Sequence, residues 1–452
     1  MIRQSIRPWI ASCLVVLSIS VLHAAGNFDS NAEEYLQAQM RVNQFSGSVL
    51  VARDGQVLLS RGYGMADREL SVPNTPQTEF RLASVTKSFT AIGIMLLQEN
   101  GMLNVHDLLS KYYPNCPETW KDITLHHLLT HTSGIPEYAD AAWEKIMGQR
   151  MTKEEVIGLF RNRPLDFKPG ERYRYSNSGY FLLGCVIEKA SGETYEAFMR
   201  EHIFSPLHMA DTGCNRIEAI IPRRASGYSK NADGAWENAP LMDMSQAFSA
   251  GCIYSTVEDM YRLDRALRTE TLLPRRSISI MFTPFSAHYG YGWNILTRFN
   301  RKLVSHNGDN RGYTATFDRY PDEDVCVIVL SNQDFRYAGT VARDLEAILF
   351  GEKYALPKEH KAISATGESL ERYVGIYEDS SGKSIQLWLD GNHLMQKAPT
   401  GRVFEFIPES DATFFGKFID ASFIFIRDEK GVATELVIRE GAGDESVWRR
   451  TK

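Results

Sequence analysis

The chain has 452 residues, of which 43% are hydrophobic and 23% are charged. These proportions are typical of a globular protein and exclude disordered, collagen-like and coiled-coil classes. The net charge of −6 and the isoelectric point of about 6.0 lack the basic excess of nucleic-acid-binding proteins, so we expect no nucleic acid partner.

Residues 1–25 have the pattern of a secretory signal peptide. Two arginines precede an apolar run from Ile10 to Leu22, and two alanines follow it at positions 24 and 25. The run is shorter than the ~20 apolar residues that a membrane-spanning helix needs. We therefore expect cleavage near residue 25, export to the periplasm or secretion, and no stable membrane anchor after cleavage.

Strand patterns stand at both ends of residues 26–355, around a helical middle. Ser48–Ala52 and Gln56–Ser60 flank Asp54-Gly55, which predicts a hairpin. Residues 84–280 show mostly helical patterns with long loops. The later predicted elements are strands at Tyr289–Ile295, Thr314–Tyr320 and Asp324–Ser331 and a helix at Thr340–Phe350. This order predicts an α+β domain with an α-rich insertion.

A polar segment at 356–368 is predicted to link this domain to a second one, residues 369–452. In the second domain Ile385, Leu387 and Leu389 alternate along one predicted strand, and Asp390-Gly391 predicts a turn after it. Further strands are predicted at His393–Gln396, Val403–Ile407, Phe414–Phe415, Ser422–Ile426 and Thr434–Ile438. Short strands with regular turns predict a small antiparallel β barrel or sheet.

The sequence indicates no metal site and no cofactor. His127 and His131 stand four residues apart, but neither a glutamate nor a third ligand accompanies them, so we assign them to a helix end and a turn. Five cysteines remain after signal cleavage, an odd number without close pairs. A disulfide framework is therefore not expected, and a single disulfide stays open.

Ser84 and Lys87 are the strongest catalytic candidates. They stand at i and i+3 at the start of an apolar helical pattern, which places the hydroxyl and the amine on one helix face. Burial and the positive potential of the helix N-terminus should lower the pKa of Lys87, so that a neutral amine can act as a base. A second Ser-x-x-Lys, at Ser380 and Lys383, lies in a polar turn with no helix behind it, and we assign it no role.

Three motifs occur in a fixed order along the chain: Ser84-x-x-Lys87, Tyr175-Ser176-Asn177 and His306-Asn307-Gly308. The ordered set resembles the penicillin-recognising serine hydrolases, which include class C β-lactamases, D-alanyl-D-alanine carboxypeptidases and related esterases and peptidases. The flanking segments Leu128–Gly134 and Ser249–Thr256 are similar as well. The resemblance covers residues 40–350 and implies a β-lactamase/transpeptidase-like antiparallel sheet with an α-rich region. The tail resembles the lipocalin-like β domain that many of these proteins carry.

The resemblance implies a role for each residue of the first two motifs. Ser84 would be the acylated nucleophile and Lys87 the group that takes its proton. Tyr175 would give a proton to the leaving group and then act on the deacylating water. Whether Lys87 or Tyr175 is the formal base stays open. Positive charge nearby should lower the pKa of Tyr175. Asn177 would orient Lys87 and the substrate.

The third motif departs from the Lys-Thr-Gly of penicillin-binding enzymes. His306 stands at the lysine position, and a histidine supplies positive charge for a substrate carboxylate only partly near neutral pH. The N–H of Asp309, just past Gly308, would form the oxyanion hole together with the N–H of Ser84. Arg311 is either a carboxylate anchor or an ordinary surface residue.

These features predict an exported serine hydrolase that forms an acyl-enzyme on an ester or amide, with a small molecule or a peptide as substrate. One alternative is a true β-lactamase or D-alanyl-D-alanine carboxypeptidase. An antibiotic-resistance enzyme is less expected, because His306 stands at the lysine position. The other alternative is a non-catalytic penicillin-binding-like receptor or scaffold, which has no need for Ser84, Lys87 and Tyr175 together. The sequence leaves the oligomeric state open.

Overall fold

The computed structural model describes residues 28–140, 142–231, 234–334, 337–397, 403–416, 419–440 and 444–451. The predicted signal peptide at 1–25 lies outside these ranges. The helices are α1 (28–42), α2 (Thr86–Glu99), α3 (Leu125–Leu129), α4 (Lys153–Arg161), α5 (Asn177–Ser191), α6 (Tyr195–Met199), α7 (Val257–Ala266), α8 (Arg275–Met281), α9 (Tyr337–Phe350) and α10 (Gly367–Leu370). Within the described ranges, no helix combines the length and the apolar character needed to cross a bilayer.

The described strands before residue 350 form one large antiparallel sheet and three small ones. They are β1 (Gly47–Arg53), β2 (Gln56–Tyr63), β3 (Met65–Asp67), β4 (Val72–Pro73), β5 (Phe80–Arg81), β6 (Gly213–Cys214), β7 (Tyr228–Lys230), β8 (Trp236–Asn238), β9 (Ile253–Ser255), β10 (Asn294–Arg298), β11 (Arg301–Asn310), β12 (Tyr313–Tyr320) and β13 (Val325–Ser331). The large sheet has the order β10-β11-β12-β13-β1-β2. Gly47 of β1 pairs with Ser331 of β13, so distant parts of the chain meet in the middle of this sheet.

The large sheet is covered on both faces by helices. Val49 and Val51 of β1 pack with α1 and α9, whereas Leu50 and Ala52 belong to the core that contains α2 and α5. Successive side chains of a strand point to opposite faces, which explains this division. Because both faces are buried, β12 and β13 are buried along their whole length. The helical layer on the second face carries the candidate site.

The C-terminal strands form a closed antiparallel barrel. They are β14 (Gly375–Glu378), β15 (Ser384–Asp390), β16 (His393–Lys397), β17 (Val403–Pro408), β18 (Thr413–Gly416), β19 (Ile419–Arg427), β20 (Ala433–Glu440) and β21 (Asp444–Arg450). Pairing of Tyr377 with Arg450 joins the first strand to the last. Tyr377, Phe406, Phe425 and Trp448 pack together in its core. The predicted fold class, an α+β part with an antiparallel sheet followed by a small barrel, is confirmed.

Several element predictions differ from the structure. The strand predicted at Tyr289–Ile295 is wrong for its first five residues, since β10 begins at Asn294. Gly292 has a φ of +79°, and a Cβ there would come within 2.8 Å of the Lys87 carbonyl oxygen, so the preceding segment is a turn packed on α2. The strands β11, β14 and β21 and the short strands β3 to β9 were not predicted. Residues 352–366 contain neither helix nor strand, and the domain boundaries stay a prediction.

Candidate active site

Ser84 lies in a 3₁₀ turn, Ala83–Val85, directly before α2. Ala83 has a φ of +48°, a left-handed conformation that is uncommon for a residue with a Cβ and that tends to occur at functional sites. Phe89 and Ile92 are fully buried and fix α2 behind the turn. Ser84 itself remains partly exposed.

Lys87 lies in the first turn of α2, and its side chain is fully buried. Its Nζ is 3.0 Å from Ser84 Oγ, 2.7 Å from Asn177 Oδ1 and 2.9 Å from the carbonyl oxygen of Ala250. The Tyr175 ring covers the amine, with 4.9 Å between Nζ and the ring centroid. The amine is therefore fixed beside the candidate nucleophile.

The environment of Lys87 favours its neutral form. Burial lowers the pKa of Lys87 to about 7, and the negative charge of Glu137 opposes part of this effect. A substantial fraction of the amine is therefore neutral at neutral pH. The direction agrees with the sequence-based expectation, and burial is the dominant cause.

The pKa of Tyr175 shifts in the direction opposite to the prediction. Burial raises the pKa of Tyr175 well above its usual range, and the hydrogen bond with the Ser84 side chain offsets only part of that rise. The predicted lowering is wrong, because the cost of desolvating a phenolate outweighs any benefit from positive charge nearby. At neutral pH the phenol keeps its proton, so it can donate a proton to a leaving group.

His131 packs directly on Tyr175. The two ring centroids are 4.4 Å apart, and His131 Nδ1 accepts a hydrogen bond of 3.1 Å from the backbone N–H of Ser176. His131 has a φ of +57°, and His127 completes a capping box with Thr124 at the start of α3. The predicted turn and helix-end roles of the two histidines are confirmed. The described residues contain no group of three or more side chains placed to hold a metal ion.

Glu137 belongs to the site, although the sequence did not single it out. Its Oε2 accepts a hydrogen bond of 2.5 Å from the backbone N–H of Asn177, and its Oε1 accepts one of 2.7 Å from Ala139. The first N–H groups of a helix lack partners within the helix, and a carboxylate there also complements the helix dipole. Glu137 thus holds the start of α5, the helix that presents Asn177 to Lys87. Its place shortly after the motif Leu128–Gly134 was the available signal.

Gly308 brings the edge of the large sheet against the nucleophile turn. A Cβ at this position would lie 2.0 Å from the Leu82 carbonyl oxygen and 3.1 Å from the backbone nitrogen of Ser84, so only glycine fits. Asp309 follows directly, and it lines the same cavity as Ser84. The two N–H groups predicted for the oxyanion hole therefore belong to neighbouring backbone segments.

A cavity of about 370 Å³ opens beside Ser84. Asn177, Trp143 and Arg311 contribute to its walls. Arg311 Nη2 donates to Glu144 Oε1 over 2.9 Å, so the arginine lies at the cavity and already has a carboxylate partner. Arg311 therefore lines the cavity, and its role as a carboxylate anchor stays a prediction.

His306 is not among the described residues that line this cavity. It is 2% exposed, with Nε2 2.9 Å from the Tyr289 hydroxyl and Nδ1 2.7 Å from the Asn307 carbonyl oxygen. Burial, together with the nearby charge of Lys87, lowers the pKa of His306 to about 3. The expected partial positive charge near neutral pH is therefore wrong, because His306 is neutral there. Its role toward the substrate stays a prediction.

Comparisons with known proteins identify the family of the chain. Residues 29–350 match the family model described as Beta-lactamase, and residues 359–449 match a domain of unknown function, DUF3471. A penicillin-binding protein of Bacillus subtilis is 30% identical over 442 residues, which cover 91% of this chain and 96% of the relative.

Solved structures show the same fold. The octameric penicillin-binding protein homologue from Pyrococcus abyssi is 27% identical with a TM-score of 0.66, covering 93% of this chain and 99% of that one. A D-amino acid amidase from Ochrobactrum anthropi is 25% identical with a TM-score of 0.63, covering 71% of this chain and 99% of that one. The chain therefore belongs to the beta-lactamase family of serine hydrolases, together with the penicillin-binding proteins.

Proposed function

We propose that the protein hydrolyses esters or amides through an acyl-enzyme on Ser84. The observation that carries this proposal is the set of contacts around Lys87 Nζ. A neutral amine has two N–H donors and one lone pair. Asn177 Oδ1 and the Ala250 carbonyl oxygen are pure acceptors at 2.7 and 2.9 Å, so they take the two donors. The lone pair is left for the hydroxyl of Ser84, 3.0 Å away.

Acylation follows from this arrangement. Lys87 takes the proton of Ser84 as Oγ attacks the carbonyl carbon of the substrate. The oxyanion would be stabilised by the N–H groups of Ser84 and Asp309. The Tyr175 phenol, which keeps its proton at neutral pH, donates it as the ester or amide bond breaks and the alcohol or amine leaves. Lys87 can then return a proton to Tyr175.

Deacylation uses the same groups in reverse order. A water molecule replaces the leaving group, gives a proton to the restored base and attacks the acyl carbon. Ser84 recovers its proton as the acid is released. Lys87 and Tyr175 share protons within one cluster, so the pH profile belongs to the cluster and not to either residue.

Two features support uncharged esters and amides over penicillins. His306 is neutral, and Arg311 is paired with Glu144, so neither offers a free cation to a carboxylate. The similarity to a D-amino acid amidase supports amide substrates as well. We accordingly propose an esterase or peptidase activity, and turnover of p-nitrophenyl esters should exceed that of nitrocefin by tenfold to a thousandfold, roughly the value of one charge-assisted contact.

The test is covalent labelling of the purified protein with a fluorophosphonate and, in parallel, with a fluorescent penicillin. Mass spectrometry should place the fluorophosphonate adduct on the tryptic peptide that spans residues 82–87. Ser84→Ala should abolish labelling and ester hydrolysis, and Ser380→Ala is the matched control that should change neither. Ester hydrolysis that persists in Ser84→Ala overturns the mechanism. A wild-type protein that neither labels nor turns over esters or amides overturns the proposed hydrolase function and supports the alternative of a non-catalytic receptor or scaffold.

We also propose that the protein is exported, on the basis of the signal peptide pattern in residues 1–25. Expression of the full chain in a bacterial host should give a periplasmic or secreted protein whose N-terminus begins just after Ala24 or Ala25. An intact N-terminus on cytoplasmic protein contradicts this proposal.

A further inference from the structure

One ion pair spans the cavity beside Ser84. Arg311 and Glu144 both line that cavity, and Arg311 Nη2 donates to Glu144 Oε1 over 2.9 Å. Arg311 lies in the turn between β11 and β12, whereas Glu144 lies in the 3₁₀ turn Trp143–Lys145 of the helical layer. The pair therefore connects two separate walls of the cavity.

The backbone on each side holds its charge in place. In the helical layer the Asp140 carboxylate accepts hydrogen bonds from the N–H groups of Ala142 and Trp143, at 3.0 and 3.2 Å. On the sheet side Gly312 has a φ of +78°, and a Cβ there would come within 2.8 Å of the Gly227 backbone. These contacts constrain both turns, and the turns place the Arg311 and Glu144 side chains on facing walls of the cavity.

The charges around the cavity are unbalanced. Among the described residues that line it, Arg311 is the one cation, against the acidic residues Glu144, Asp309 and Asp334. His306 is neutral and buried behind the wall. A substrate carboxylate that enters the cavity meets this acidic wall, and the positive charge of Arg311 in the wall is offset by Glu144 at 2.9 Å.

We propose that Glu144 is a specificity-determining residue. By pairing with Arg311 it withholds this cation from the substrate, so the cavity accepts uncharged acyl groups and disfavours acyl groups that carry a carboxylate. This inference rests on the proposed acyl-enzyme function. Breaking the pair should change selectivity without unfolding the protein, because Glu144 and Arg311 are 57% and 37% exposed and such pairs contribute little to stability.

Two esters with the same leaving group and the same acyl chain length test the inference. p-Nitrophenyl hexanoate is uncharged, and p-nitrophenyl hemiadipate replaces its terminal methyl by a carboxylate that is too far along the chain to close readily onto the ester. The wild-type enzyme should have the higher kcat/KM on the hexanoate. In Glu144→Gln the hexanoate-to-hemiadipate ratio of kcat/KM should fall by roughly threefold to tenfold, because Arg311 becomes available to the carboxylate. In Arg311→Gln the ratio should rise by a similar factor.

The matched control is Glu218→Gln, which breaks a comparable exposed pair with Arg150, at 3.4 Å, away from this cavity. It should leave the ratio unchanged. The changes in the two cavity variants should also shrink at high salt, since ~1 M salt screens charges beyond ~3 Å.

Two results overturn the inference: a change in the ratio of less than twofold in Glu144→Gln, or a shift of both cavity variants in the same direction. Failure of the proposed function is recognised separately. In that case Ser84→Ala keeps hydrolysing both esters, whatever their ratio, whereas failure of the inference alone leaves Ser84-dependent turnover with unaltered selectivity.

Discussion

The chain contains the pattern Ser-x-x-Lys twice, and the two copies differ in their surroundings. At Ser84 the lysine is fully buried, makes three polar contacts, and has a pKa lowered to about 7. At Ser380 and Lys383 the pattern lies in the exposed turn between β14 and β15, where Asp379 Oδ1 accepts backbone hydrogen bonds from Ser381 and Lys383. The difference shows that the spacing alone does not make a catalytic site. A site also needs burial of the amine and two acceptors for its N–H groups.

Removing each lysine should give the largest contrast between the copies. Lys87→Ala should lower the acylation rate by a factor on the order of a thousand or more, because the base that takes the Ser84 proton is lost. Lys383→Ala should leave the rate unchanged. Stopped-flow measurement of p-nitrophenolate release from p-nitrophenyl butyrate gives the acylation rate of both variants. Near-normal acylation in Lys87→Ala would mean that another group activates Ser84.

The effect of removing the Tyr175 hydroxyl should depend on the leaving group, since this phenol is proposed as the proton donor. p-Nitrophenolate leaves without a proton, whereas an amine requires one. Tyr175→Phe should therefore lower kcat/KM on a p-nitroanilide by roughly a hundredfold to a thousandfold and by clearly less on the matching p-nitrophenyl ester. Equal losses on the two substrates would contradict proton donation to the leaving group. Tyr377→Phe, a buried tyrosine of the barrel, is the control and should affect neither.

The buried Lys87 also has a measurable effect on stability. In the unfolded chain its amine titrates near ~10.4, and in the folded chain near about 7, so between these pH values the unfolded chain binds the extra proton. The free energy of unfolding therefore rises with pH, by at most about 1.4 kcal/mol per unit from this group. Urea unfolding at pH 7 and pH 8.5 should show a gain of up to about 2 kcal/mol in the wild type relative to Lys87→Met.

The corresponding control is Lys383→Met in the exposed copy, which should follow the wild-type pH dependence. If Lys87→Met also shows the wild-type pH dependence, the amine of Lys87 is not neutral in the folded protein. That result would contradict its proposed role as a base.

The smallest expected effect concerns Glu137. Its negative charge raises the pKa of Lys87 against the effect of burial, and Glu137→Gln keeps an acceptor for the Asn177 N–H. The pKa of Lys87 should fall further, so the rising limb of kcat/KM, expected near pH 7 in the wild type, should move to lower pH by roughly half a unit. Glu378→Gln, next to the second copy, should leave the profile in place. A shift to higher pH would refute the electrostatic role of Glu137.

Contacts within one element were predictable from the sequence. Ser84 and Lys87 are three residues apart, so the helix alone brings them together. The hairpin of β1 and β2 follows from apolar runs around Asp54-Gly55. Asn177 lies 90 residues from Lys87, and only the resemblance to a family indicated that contact. The strands β14 and β21 were missed because their short sequences lack a clear apolar alternation, and barrel closure pairs them.

The sequence predicted the direction of the Lys87 pKa shift, but not the charge states of Tyr175 and His306. Tyr175 and His306 both received expectations based on ordinary electrostatics in water, and both were wrong, because burial among aromatic side chains penalises the charged form of each. The sequence did not single out Glu137 or Glu144 from other glutamates. The fold places Glu137 at the start of α5 and Glu144 opposite Arg311.

The sequence by itself determined many of the elements, the fold class and the pair Ser84 and Lys87, since these depend on local periodicity and short-range spacing. The tertiary structure alone decided which acceptors surround the Lys87 amine, that Tyr175 and His306 are neutral, and which charges face the cavity. The physical reason is that solvation changes over a few ångströms and is set by residues far apart in the chain, such as Ala250 for Lys87 and Tyr289 for His306.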